Sequence, residues 1–353
     1  MRLTSTHTFE TKSYGRSASD QAWEVIEPEH IAIWKSALTS LNTRKLKLKN
    51  CTVDIEATWT PILEKHQQHY AVMKRFYKGF KNEKEAISIA KGFPTRKSKV
   101  TFTAQVVGDE IKKDSAINLA NSAVESYLHD CFLILNICAP GCCDFYQGAL
   151  LKNGSLKNGS RTDISLSNVH FELALLGSFK SAWPKIRTLS LIQVVKWFDT
   201  IRVGVGQLPQ NPMEKVLFAL LHISKLDTSP MLVIWLFYAF ESLLQTKVGE
   251  NYSSLVRRMI ALLELDEKQS KVLRGQFRNL YDIRSAITHG GFEVSHPMHN
   301  EVLDKRVDEN FERLSDATEY GLTALVAAIQ NTIVRGWKYP SFTEEMRGTP
   351  IGS

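Results

Sequence analysis

The amino-acid sequence predicts an α+β N-terminal domain followed by an all-α helix bundle, and three features carry that expectation. Up to Ile201, segments with a strand period are mixed with segments of helical period. GQLPQNP, Gly206 to Pro212, has the composition of a linker. Beyond it the apolar spacing is almost purely helical, with short connections. The expected organisation is one domain over residues 1–205, a helical domain over 211–337 and a C-terminal tail over 338–353. A chain of 353 residues suits two domains.

In order along the chain, the first twenty residues read as a loose tail or a first strand. NCTVDIEAT, Asn50 to Thr58, alternates weakly as a strand would. Pro61 to Phe80 reads as a helix, with Thr60 as its N-cap and proline in the first turn. Val100, Phe102, Ala104 and Val106 alternate with polar residues, the pattern of a half-buried strand. Asp114 or Ser115 then caps a long helix from Ala116 to Asn136. LKNGSLKNGS, Leu151 to Ser160, is a tandem repeat with two Asn-Gly pairs and reads as a surface loop or hairpin tip. Val169 to Leu176 is expected as another strand. Ser190 to Ile201 is expected as a helix with Leu191, Val194, Val195 and Phe198 on one face. Five helices follow: Met213–Ile223, Pro230–Lys247, Tyr252–Leu263, Glu267–Thr288 capped by Asp266, and Asp308–Arg335.

Composition narrows the functional classes. The densest apolar run, Met231 to Phe240, is about half the length a bilayer requires, so it reads as a buried core helix and no membrane partner is expected. MRLTSTHTFETKSYGRS has no apolar segment of the signal-peptide kind, so a cytoplasmic location is expected. Five cysteines without a secretion signal do not suggest a disulfide framework. Cys138, Cys142 and Cys143 cluster, but a structural zinc site needs a second ligand pair, so they read as buried thiols. No metal or other cofactor is expected.

Net charge is +7, concentrated in residues 44–99, where fourteen Lys or Arg stand against five Asp or Glu. The rest of the chain carries −2. Within the basic stretch Phe76, Tyr77, Phe80 and Phe93 interleave with cations. That suits RNA, with cations on phosphates and rings on bases. Lys74, Arg75, Lys78, Lys81, Arg96, Lys97 and Lys99 are the candidate contacts, and a solvated Lys-rich helix face is the alternative. His66 and His69 in HQQH lack the zincin pattern and are expected on a solvated helix face.

The sharpest chemical signal is in KVLRGQFRNLYDIRSAITHGG. Leu273, Phe277, Leu280 and Ile287 form an apolar stripe, and Arg284 falls within about 20° of Leu273 on an ideal helix. A guanidinium there needs an anion, either a structural carboxylate or a bound phosphate. Glu241, set in the apolar helix MLVIWLFYAFESLL, is the candidate partner. His289 would point about 140° away from Arg284 on a continuous helix. The two converge only if the helix stops near Thr288, as Gly290-Gly291 predicts.

Arg284 to His289 is an R-x4-H motif, and YDIRSAITHGG after LFYAFESLL resembles the Apea-like branch of the HEPN superfamily over residues 211–337. Where HEPN domains commonly carry Asn, Asp or His after the arginine, this chain carries Ser285. The resemblance implies a metal-independent endoribonuclease of bacterial anti-phage or abortive-infection type. Arg284 and His289 would be catalytic, supported by Glu241, Tyr281, Asp282 and Ser285. It also implies a homodimer whose two motifs share one site on RNA. The N-terminal domain, whose role the sequence does not assign, would then sense a protein or phage-derived trigger or bind the RNA. The alternative is a HEPN module that binds RNA, a nucleotide or a partner protein without cleavage.

Overall fold

The computed structural model describes residues 2–11, 23–79, 81–92, 97–109, 111–152, 161–202, 204–225, 228–246, 252–298 and 300–343. The chain is α+β. Six strands form one antiparallel sheet: β1 (Arg2–Thr11), β2 (Thr43–Lys47), β3 (Cys51–Thr58), β4 (Ser98–Gly108), β5 (Phe145–Lys152) and β6 (Arg161–Leu166), in the order β2-β3-β4-β1-β5-β6. The first residues of the chain are a central strand rather than a tail. β1 pairs with β4 along its whole length, from Arg2 opposite Val107 to Thr11 opposite Ser98. The alternation read from β4 is real: Val100, Phe102, Ala104 and Val106 are all buried on one face. On the other face Lys99 stands opposite Glu10 and pairs with it at 2.7 Å.

Six helices accompany the sheet: α1 (Trp23–Ser40), α2 (Thr60–Tyr77), α3 (Glu83–Lys91), α4 (Lys113–Cys138), α5 (Val169–Ser181) and α6 (Leu191–Ile201). Thr60 is the first residue of α2 rather than its cap, a position held by Trp59. Neither Asp114 nor Ser115 caps α4, which begins earlier, after Lys112. Val169–Leu176 is helical, not a strand. The buried set of α5, His170, Phe171, Ala174, Gly177 and Ser178, has helical spacing, and the Leu/Ala-rich run favours helix over strand. Leu151 and Lys152 end β5, while 153–160 lie outside the described residues; the two strands that this repeat joins pair antiparallel.

α7 (Pro212–Ile223), α8 (Pro230–Leu243), α9 (Tyr252–Leu263), α10 (Glu267–Thr288) and α11 (Arg306–Val334) complete the chain. α8 stops at Leu243, short of the Lys247 expected from its apolar run. Gly321 of α11 lets α8 and α10 approach closely: a Cβ there would meet Leu280 at 3.0 Å and Leu236 at 3.2 Å. One continuous buried core runs from the sheet through α4 into these helices. Gln330 of α11, fully buried, donates to the carbonyls of Ile137 (2.9 Å) and Arg187 (2.8 Å) and accepts from the Arg187 amide (3.0 Å). Every polar atom of that side chain is thereby satisfied across the two halves.

Candidate active site on α8 and α10

Helix α10 begins with a capping box, in which Asp266 accepts from the Gln269 amide and Gln269 accepts from the Asp266 amide. Leu273, Phe277, Leu280 and Ile283 form its buried face. The helix ends at Thr288, as the glycine pair predicts. Gly290 takes φ +75°, the left-handed conformation that glycine adopts without a Cβ clash. The amides of Gly291 and Phe292 then close on the Ala286 carbonyl at 2.8 and 3.1 Å, a Schellman-type stop. His289 occupies the cap itself, its amide bonded to the Ser285 carbonyl at 3.0 Å.

Arg284 projects from the last turns of α10 toward α8. Its Nη2 lies 3.3 Å from Oε1 of Glu241, and its guanidinium carbon sits 5.2 Å from the Phe237 ring centroid. The carboxylate and the ring restrict the guanidinium on two sides and leave it about a third exposed, at 34%. Glu241 is 42% exposed, so the expectation of a buried carboxylate is corrected. The apolar residues of α8 divide between two faces. Leu232, Val233, Leu236, Phe237, Phe240 and Leu243 enter the core, while Met231, Ile234, Trp235 and Tyr238 share the partly open face with Glu241.

Tyr281 is half-buried between the rings of Phe237 (6.0 Å) and Tyr252 (5.4 Å), and so braces the ring on which Arg284 rests. Asp282 faces solvent and pairs with Arg278 at 3.4 Å, not with Arg284. Ser285 is half-buried. His289 is exposed and makes no side-chain hydrogen bond or ion pair to a described residue. Within one chain, therefore, Arg284 and Glu241 meet, and His289 stands free at the helix end.

Comparison with family models, with curated proteins and with solved structures finds no match to this chain.

Among the basic candidates, Lys74, Arg75 and Lys78 are exposed at the end of α2 beside the exposed rings of Phe76 and Tyr77. Lys74 also reaches its own helix, 5.5 Å from the Tyr70 ring. Lys81, Lys97 and Lys99 are exposed, and Arg96, Phe80 and Phe93 lie outside the described residues. Among the described residues no helix is long and apolar enough to cross a membrane.

His66 and His69 are not on a solvated face. Glu27 of α1 is fully buried, with its two carboxylate oxygens 3.6 Å from His66 Nδ1 and 3.7 Å from His69 Nδ1. His66 is 2% exposed and stacks on Trp34 at 6.0 Å. The two histidines lie on the side of α2 that packs on α1, which HQQH alone could not reveal. Burial pushes the Glu27 carboxyl up, but His66, His69 and His30 outweigh it and hold the group down at about 2. Burial, with His66 nearby, lowers His30 to about 4. No cluster of three or more His, Cys, Asp or Glu among the described residues is arranged to hold a metal ion.

Sequence reasoning also missed a second charged cluster. Arg202, at the end of α6, is 5% exposed and lies between Asp130 of α4 (3.6 Å) and Glu214 of α7 (3.5 Å). Asp130 sits in the apolar run YLHDCFLILN, the same signal that drew attention to Glu241.

Proposed function

We propose that this chain is a metal-independent endoribonuclease of HEPN type, acting as an anti-phage or abortive-infection effector, with a site shared between two copies. The observation that carries the reading is the Arg284 guanidinium. It is fixed by Glu241 and the Phe237 ring, yet a third of it remains open at the helix end capped by His289. A cation held in advance at the surface is suited to charge that develops on a phosphate.

In the proposed reaction an RNA 2′-oxygen attacks the adjacent phosphorus as His289 of one copy takes the hydroxyl proton. The P–O5′ bond breaks as His289 of the second copy protonates the departing 5′-oxygen. Both Arg284 side chains bind the non-bridging oxygens. The products are a 2′,3′-cyclic phosphate and a 5′-hydroxyl. Two proton-transfer groups are required and one chain supplies one His289, so the twofold arrangement is part of the mechanism. The partly open α8 face, with Met231 50% and Tyr238 39% exposed, supports a second copy as its occupant. Lys74, Arg75 and Lys78, with Phe76 and Tyr77, would bind the RNA away from the reacting bond.

The test is cleavage of total RNA by purified protein in EDTA, comparing wild type with His289→Ala and with mixtures of the two. Cleavage that survives EDTA, and that falls as excess variant draws wild-type chains into mixed dimers, supports the reading. Full activity from a demonstrated monomer overturns the shared site. A second reading, RNA binding without cleavage, is favoured by the exposed Phe76 and Tyr77 beside cations. It predicts unchanged RNA retention and no cleavage in either protein.

A further inference from the structure

A cavity of about 610 Å³ opens between α4, α6 and α7, away from the α8–α10 seam. That is the size of a small-molecule site. Leu119, Leu133, Phe198, Leu217 and Leu221 supply apolar walls, and Ser122, Ser126 and Asp130 line it from α4.

Asp130 is the unusual member. Its side chain is 8% exposed, and its nearest partner, Arg202 Nε, is 3.6 Å away, beyond hydrogen-bonding length. Arg202 is engaged elsewhere: it donates to the Gly206 carbonyl at 2.5 Å, stacks over Phe218 at 5.0 Å and pairs with Glu214 at 3.5 Å. Glu214 also accepts from the Gln210 amide at 2.6 Å, so it is satisfied. Asp130 accepts no hydrogen bond from a described residue. Arg44 is neutralised by its own pair with Asp199.

Asp130 is thus the one acid of this group without a hydrogen bond among the described residues. Among the described residues Asp130 has Arg202 and, farther off, Arg44 as its cations, and both are engaged by other acids, Glu214 and Asp199. At the mouth Glu125 and Lys225 offset each other, and burial lowers the pKa of both His129 and His222, favouring their neutral forms. A buried carboxylate is tolerated when a donor, best a cation, satisfies it. Burial pushes Asp130 up to about 6 against the pull of Arg202 and Arg44, as expected of an under-compensated acid.

We propose that this cavity binds a primary amine carried on an apolar body, with the ammonium seated against Asp130. The ammonium donates up to three hydrogen bonds, which fits a carboxylate with free lone pairs. The body replaces water against the leucine and phenylalanine walls. An anionic ligand of the same shape would set its charge against the Asp130 carboxylate and be rejected.

Isothermal titration of the full chain with tryptamine, phenethylamine and cadaverine tests this, with indole-3-propionic acid as the anionic control. At least one amine is expected to bind saturably, and the acid is not. Asp130→Asn should weaken that binding about tenfold or more, the worth of one charge-assisted hydrogen bond. Ser126→Trp, a half-buried position at the cavity wall, should abolish it without removing any charge, and it keeps the test valid if Asp130→Asn does not fold. No binding by any of the three amines overturns the proposal, as does amine binding that survives Ser126→Trp or is matched by the acid. The readout is independent of RNA cleavage, so either proposal can fail alone.

Discussion

Arg284 and Glu241 form an ion pair 3.3 Å apart at the partly open seam between α8 and α10, and neither is buried. That one fact changes what the pair is for. A fully buried pair would cost several kcal/mol to break, because one charge would be stranded away from water. A pair this open is worth roughly 0.2–1 kcal/mol in stability, since water re-solvates whichever group is left.

Glu241→Ala is therefore expected to lower unfolding free energy by less than about 1 kcal/mol in a urea titration. RNA cleavage should fall much further, about tenfold or more, because the guanidinium loses the group that aims it. A loss of several kcal/mol with proportionate loss of activity would make Glu241 a core residue rather than a positioning one.

His289→Ala should leave thermal unfolding essentially unchanged, because the side chain is exposed and makes no hydrogen bond to a described residue. Cleavage should fall by about 10²–10⁴-fold, the usual contribution of a proton-transfer group. A variant that unfolds at lower temperature in step with its loss of cleavage would assign His289 to helix capping instead.

Acid should destabilise the fold in two windows. Burial, with Lys152 nearby, lowers His7 to about 4, and burial with His66 lowers His30 to about 4, both from 6.5. Between those values the unfolded chain binds protons on both imidazoles and the native chain does not, so stability falls as pH drops from 6.5 toward 4. Glu27 is held at about 2 against 4.5, so its contribution, full above 4.5, is lost as pH falls from 4.5 to 2. Urea midpoints measured across this range should decline through both windows. His30→Phe should make the upper one shallower, leaving the part that His7 contributes, and an unchanged slope in that variant would place the titration elsewhere.

Gly177→Ala should destabilise by about 1–3 kcal/mol, the usual cost of overpacking. A Cβ at Gly177 would lie 2.5 Å from Thr323 Oγ1, and that hydroxyl is held at the Ala174 and Glu319 carbonyls at 3.1 and 2.8 Å. Helices α5 and α11 must separate to admit the methyl. Thermal unfolding checks this, and an unchanged midpoint would show that the contact yields freely.

Local signals were legible from the chain alone. The Asp266 cap, the Gly290 stop and the alternation of β4 depend on neighbours within a few residues, and each appears where the spacing places it. Val169–Leu176 misled because Val169, Phe171, Leu173 and Leu175 alternate like a strand, while its partners on α11 required helix. His66 and His69 were misplaced because their faces were decided by α1, which brings Glu27 to them from about forty positions earlier.

By itself the sequence determined the mixed α+β character, the helix containing Arg284 and its end before His289, and the pairing of Arg284 with Glu241. The first two follow from backbone propensity and cap chemistry; the pair was expected from the cost of a buried unpaired charge, but it forms at a partly open seam. Only the tertiary structure decided which face of α8 stays open, that Glu27 is enclosed by histidines, and that Asp130 lines a cavity 3.6 Å from Arg202. Burial is a property of what the folded chain brings alongside a residue, and residues far apart in sequence supply it.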